Sequence, residues 1–62
     1  MLTRAETFEL QQRLVTRGFD PGEPNGRFGA KSRAALRDFQ ARFGLVPDGF
    51  ASGSMLERLR GP

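Results

Sequence analysis

The chain reads as all-α, a small three-helix orthogonal bundle, and three features of the sequence lead there. The first is a repeated phrase. Asn25-Gly26-Arg27-Phe28-Gly29-Ala30-Lys31-Ser32-Arg33-Ala34-Ala35-Leu36 is echoed by Asp48-Gly49-Phe50-Ala51-Ser52-Gly53-Ser54-Met55-Leu56-Glu57-Arg58-Leu59. Each copy is an Asx-Gly turn, a Gly-containing helix entry and a short helix ending in Leu, so one unit is used twice and neither copy can bury its apolar face alone. The second feature is helical spacing of apolar residues in three separate segments. The third is the pair of connections, rich in Pro and Gly, too stiff to let three helices lie parallel.

Thr3 followed by Glu6 is a capping-box pattern, in which hydroxyl and carboxylate each satisfy a free amide at a helix start. It places the first helix at about 4–17. Thr7, Leu10, Gln11, Leu14 and Val15 fall on one arc at 100° per residue, Phe8 lies at its margin, and Gly18 supplies the stop. Phe19-Asp20-Pro21-Gly22-Glu23-Pro24-Asn25-Gly26 cannot continue a helix and should form consecutive tight turns. A second helix is expected at about 30–43. Ser32, Leu36, Phe39 and Phe43 share its inner face, with Lys31, Arg33, Arg37, Asp38 and Arg42 opposite, and Gly44 takes the left-handed cap. Leu45-Val46-Pro47-Asp48-Gly49 leads to a third helix at about 53–60, capped by Ser52 or Ser54, with Met55, Leu56 and Leu59 inward.

Composition restricts what such an object can do. A chain of 62 residues forms a single domain, residues 1–62, and domains of that size bury only about 60% of their unfolded surface, leaving little room for a deep enclosed site. It has no Cys and no His, which removes thiol nucleophiles, imidazole bases, disulfides and most zinc chemistry. The carboxylates are scattered, so no metal or other cofactor is expected. A net charge of +3 favours acidic partners without the charge density of a dedicated nucleic-acid binder. No apolar run approaches the ~20 residues of a membrane span, and no signal-type segment opens the chain, which reads as an excised module without membrane insertion.

The ordered residues Leu10-Gln11, Leu14, Gly18-Phe19, Gly22, Asn25-Gly26, Phe28-Gly29, Ser32, Ala35, Phe39-Gln40, Gly44-Leu45, Asp48-Gly49 and Leu59 resemble the peptidoglycan-binding domain of the type 1 family. The opening Leu2-Thr3-Arg4-Ala5-Glu6 and the close Leu56-Glu57-Arg58-Leu59-Arg60 look most like the C-terminal module of B-type lytic murein transglycosylases. The resemblance implies a monomeric, non-catalytic module of three helices, periplasmic or associated with the bacterial cell wall. Its partners would be peptidoglycan, through glycan strand or stem peptide, and a covalently linked murein-cleaving domain that it tethers to its substrate. The chain departs from the family's usual pattern at Asn25, where Asp is commoner, at Thr7, usually aliphatic, and at Phe8, usually polar. Met55 stands where Thr is frequent, so a hydrogen bond to the preceding turn is expected to be missing there.

Five residues form the candidate ligand site, a shallow surface made by the loop from Phe19 to Arg27 and the start of the second helix. Phe19 and Phe28 offer apolar contact, Arg27 and Lys31 attract stem-peptide carboxylates, and Asn25 with the turn amides supplies orienting hydrogen bonds. Each has a plainer reading. Both Asx-Gly pairs are structural turns, Gln11 and Gln40 are placed to bond loop backbone, and Phe28, Phe39 and Phe43 read as core. Phe19 can fold inward or present a face, and the basic residues can be an ordinary solvated helix face.

Two other function classes fit less well. A glycosidase can work with two carboxylates, but a general acid needs a raised pKa and an apolar cleft, whereas Asp20, Glu23, Asp38 and Asp48 lie on turns or beside arginines. A helix-turn-helix nucleic-acid binder needs a turn of about three or four residues before a polar recognition helix. Here the first connection is longer, and the third helix offers Met55, Leu56 and Glu57. A protein–protein module or passive spacer is the remaining alternative.

Overall fold

The computed structural model describes residues 2–61. Helix α1 spans Arg4–Thr16, α2 Ala30–Arg42 and α3 Gly53–Arg60, so α1 and α2 each stop one residue short of the expected span. Among the described residues there is no strand.

Short-range chemistry sets the helix ends. Glu6 N donates to Thr3 Oγ1 at 3.1 Å while Thr3 N donates to Glu6 Oε1 at 2.9 Å, a complete capping box. Ser52, not Ser54, caps α3 by accepting from Met55 N at 3.2 Å. The ends of α1 and α2 close alike: Phe19 N reaches Leu14 O at 2.9 Å and Leu45 N reaches Gln40 O at 2.8 Å, the long bond of a Schellman motif with Gly18 and Gly44 at positive φ.

Leu10, Leu14, Ala35, Leu36, Phe39, Leu56 and Leu59 form the core, and burying each of the larger side chains contributes about 1.5–3 kcal/mol. Helix α1 lies at the centre, with both other helices packed on it. Two arginines fasten α3 to α1. Arg17 Nη2 donates to Leu59 O at 3.0 Å and Gly61 O at 3.1 Å, covering carbonyls that the end of α3 leaves unpaired. Arg60 forks onto Glu9, with Nε and Nη2 each 2.8 Å from a carboxylate oxygen, and Arg13 Nε reaches the same carboxylate at 2.7 Å. Hydrogen bonds from Arg60, then Arg13, hold the Glu9 carboxyl down to about 2, and the bond to Glu9 raises the Arg60 guanidinium above its usual range.

Two residues assigned to the core are exposed. Val15 is 51% exposed, because the buried face of α1 is the narrower set Thr7, Leu10, Gln11 and Leu14, spaced i, i+3, i+4, i+7, and Val15 lies a further 100° around the helix. Phe43 is 53% exposed because it sits at the C-cap of α2. Its ring covers Phe39 from outside, with centroids 4.9 Å apart. Phe19 turns inward, half-buried, with its ring edge-on to Phe39 at 5.8 Å. The unusual Thr7 is buried without penalty, since its hydroxyl donates to Thr3 O at 2.9 Å.

Candidate functional site

The repeat extends further back than the duplicated phrase. In each half, a helix glutamine bridges to the Asx-Gly turn that follows. The buried Gln11 accepts at Oε1 from Asn25 N at 3.0 Å and Gly26 N at 2.9 Å, and donates through Nε2 to Arg27 O at 2.7 Å and Ser32 Oγ at 3.0 Å. Gln40 accepts from Gly49 N at 2.8 Å and donates to Asp48 Oδ1 at 2.9 Å. Asn25 Oδ1 receives Arg27 N at 2.8 Å, and Asp48 Oδ1 receives Phe50 N at 2.9 Å, so both turns close on their own side chain and the missing charge at Asn25 does not alter that bond.

Each turn glycine also rests against the helix that carries its glutamine. Gly26 and Gly49 have φ of 81° and 67°. A Cβ on Gly26 would lie 3.2 Å from Arg4 O, and one on Gly49 would lie 3.2 Å from Arg33 O. Arg4 and Arg33 stand seven residues before Gln11 and Gln40 respectively. Helix α2 thus ends the first unit and begins the second.

The halves differ at Ser32 and Met55. Ser32 Oγ donates to Pro21 O at 2.9 Å, tying the first loop to α2. Met55 has no hydroxyl to do the same, as expected from the sequence. Its sulfur instead takes a weak contact from Gln40 Nε2 at 3.5 Å.

The five candidate residues occupy one loop and the start of α2 but do not converge on one hollow. Phe28 is half-buried and, with Leu2, Phe50, Ala51 and Arg33, lines a cleft of about 370 Å³ between the two turns. Phe19 lines a different cleft of about 300 Å³ with Arg17, Arg42 and Phe43. Asn25 and Arg27 are exposed on the rim of the first turn. Lys31 Nζ lies 3.3 Å from Asp20 Oδ2 in an exposed ion pair. No residue of the second turn is named as a ligand contact by sequence reading. The equivalence of Gly26 and Gly49 was the available signal, since related turns can border one hollow.

Two of the candidate acids, Asp20 and Asp48, are held against proton donation. Asp20 is lowered by the Gly22 amide and Lys31, and Asp48 by the Phe50 amide and Gln40. A general acid requires the opposite shift. Among the described residues, no three His, Cys, Asp or Glu side chains come together to hold a metal ion, and no helix is long and apolar enough to cross a membrane.

The family described as "Putative peptidoglycan binding domain" matches residues 3–59. The chain belongs to that family. This peptidoglycan-binding domain is 43% identical over 54 residues to a spore cortex-lytic enzyme of Bacillus cereus and 41% identical to one of Oceanobacillus iheyensis, with 87% of the chain covered in each. It superposes with a TM-score of 0.95 at 43% identity on part of SltB3 from Pseudomonas aeruginosa, crystallised in complex with NAG-anhNAM-pentapeptide, over 98% of this chain. A second SltB3 structure, in complex with NAG-NAM-pentapeptide, gives 0.94. The domain spans 21% of the length of the Bacillus cereus relative and 16% of SltB3.

Proposed function

We propose that this peptidoglycan-binding domain is the non-catalytic anchor of a larger murein-cleaving enzyme and holds the attached catalytic domain on the cell wall, outside the cytoplasm. The observation that carries the reading is the family match over residues 3–59, joined to relatives that are themselves cell-wall lytic enzymes and several times longer. The downward shifts of Asp20 and Asp48 support a role without catalysis.

Contact with the wall comes from the loop of residues 19–27 and the start of α2. Asn25 and Arg27 stand at the tip, Phe28 faces the cleft between the turns, Lys31 exchanges Asp20 for a wall carboxylate, and Phe19 serves the other flank of the loop. Exposed charge contacts contribute about 0.2–1 kcal/mol each, so a single site is weak and salt-sensitive. A polymer offers many sites, and tethering turns subsequent encounters into intramolecular ones.

Co-sedimentation with purified sacculi tests this. The protein is expected in the pellet, with retention falling as salt rises. Replacing Arg27 and Lys31 together by Ala should weaken retention about fivefold, the equivalent of about 1 kcal/mol for two exposed contacts. Retention unaffected by the double change would remove the proposed charge contact, and no retention of the unmodified protein would remove the anchor.

A further inference from the structure

The cleft between the two turns has a chemistry of its own. Its walls are the apolar side chains of Leu2, Phe28, Phe50 and Ala51, and Phe50 is 62% exposed. Polar groups are few. Thr7 lies at its edge with its hydroxyl already committed to Thr3 O, which leaves Arg33 as the one charged side chain in the lining among the described residues. A saccharide carries a hydroxyl on most carbons and needs a matching set of polar partners. This lining does not offer one.

Arg13, Arg60 and Lys31 have carboxylate partners in Glu9, Glu57 and Asp20. Arg4, Arg17, Arg27, Arg33, Arg37, Arg42 and Arg58 form no ion pair among the described residues, and of these Arg33 lines the cleft. The stem of Arg4 lies against Gly26 and that of Arg37 against Gly49, while Arg33 uses Nη1 to hold Phe28 O at 3.2 Å and keeps the rest of its planar fork available. The walls are pre-set as well. Gln11 and Gln40 pin both turns, so little ordering entropy is lost when a ligand enters.

We propose that this cleft takes the alanine-terminated, carboxylate-bearing end of a peptidoglycan stem peptide, with methyl groups against Phe28, Phe50 and Ala51 and the terminal carboxylate on Arg33. The proposal rests on the wall-anchoring reading and narrows it to peptide in place of glycan. It also moves the ligand's centre from the first loop alone to the space the two repeats share.

The test is a chemical-shift titration of the isotope-labelled protein with three probes: a synthetic stem pentapeptide ending in D-Ala-D-Ala with a free carboxylate, the same peptide as its C-terminal carboxamide, and the NAG-NAM disaccharide without peptide, its lactyl carboxylate capped as the methylamide. The free acid should move the amides of Gly26, Phe50 and Ala51 saturably, the carboxamide should bind about tenfold more weakly, and the disaccharide should leave these amides still. Arg33→Gln and Phe50→Ala should each weaken the free acid, and both sites are exposed, so circular dichroism should report an unchanged fold. If a variant fails to fold, the acid–carboxamide comparison on the unmodified protein still decides. Equal binding of acid and carboxamide, or cleft amides that respond to the disaccharide, would overturn the proposal. Sacculus retention separates the two failures. A protein retained by sacculi whose cleft ignores the free acid loses only this inference, whereas one that sacculi do not retain loses the anchoring role with it.

Discussion

Replacing Gln11 by Met removes the amide while keeping an unbranched side chain of similar length, so the change isolates hydrogen bonding from packing. Gln11 is fully buried and makes four hydrogen bonds of 2.7–3.0 Å. At a net worth of about 1 kcal/mol each, and with some rehydration of the part-exposed loop groups left behind, the loss should be about 3 kcal/mol. Gln40→Met removes two good hydrogen bonds and the weak contact to sulfur, for a loss of about 2 kcal/mol. A domain of 62 residues has a total stability of roughly 3–9 kcal/mol, so both losses are a large share of it. With Tm falling about 4–8 °C per kcal/mol in domains of this size, Gln40→Met should melt roughly 8–16 °C lower and Gln11→Met roughly 12–24 °C lower. The chain has no Trp and no Tyr, which makes far-ultraviolet circular dichroism the suitable probe, by thermal melt and by urea. A Gln11→Met variant that loses under about 1 kcal/mol, or a Gln40→Met variant that loses more than it, would refute the view that the glutamines hold the turns.

Two other perturbations follow from the same geometry. Gly18→Ala meets no neighbour, since nothing lies within 4 Å of its added Cβ, and should cost only the left-handed penalty of about 1–2 kcal/mol. Gly49→Ala bears that penalty and also brings a Cβ to 3.2 Å from Arg33 O, a helix carbonyl that cannot swing aside, so urea midpoints should fall further for Gly49→Ala; equal midpoints would mean that the turn does not rest on α2. Glu9 sits at about 2 against an ordinary 4.5, through its bonds to Arg60 and Arg13. A carboxyl depressed by folding stabilises the folded state fully above its unfolded value, and that contribution is lost as pH falls through the folded value. The Tm difference between the unmodified protein and Glu9→Gln should hold steady at neutral pH and close between about 4.5 and about 2; a difference that ignores acidification would discount the fork between α1 and α3.

Much of the architecture was legible because it is local. Thr3 with Glu6, Gly18 and Gly44 act within a few residues of themselves, as does the serine cap of α3, left open between Ser52 and Ser54 until the structure chose Ser52, and capping chemistry depends on little else. The repeat announced that two units share a core, and Gln11 and Gln40 stood out as amides beside core positions that would need loop partners. The site was less legible. Phe19 and Phe28 lie close in the loop yet line different clefts. The pairing of Lys31 with Asp20 follows from the path of the turns between them, which spacing along a helix does not reveal.

By itself, the order of residues determined three helices, their stops, two Asx-Gly turns and membership of a wall-binding family, since each depends on near neighbours or on a pattern that spans most of the chain. Tertiary structure alone decided that Val15 and Phe43 stay outside, that Phe19 and Phe28 line different clefts, and that Arg33 stands in the lining of the cleft the turns share. Those outcomes depend on how far each helix is rotated about its axis and on where rigid loops return the chain. Both are settled when the whole core packs at once, and no single segment encodes them.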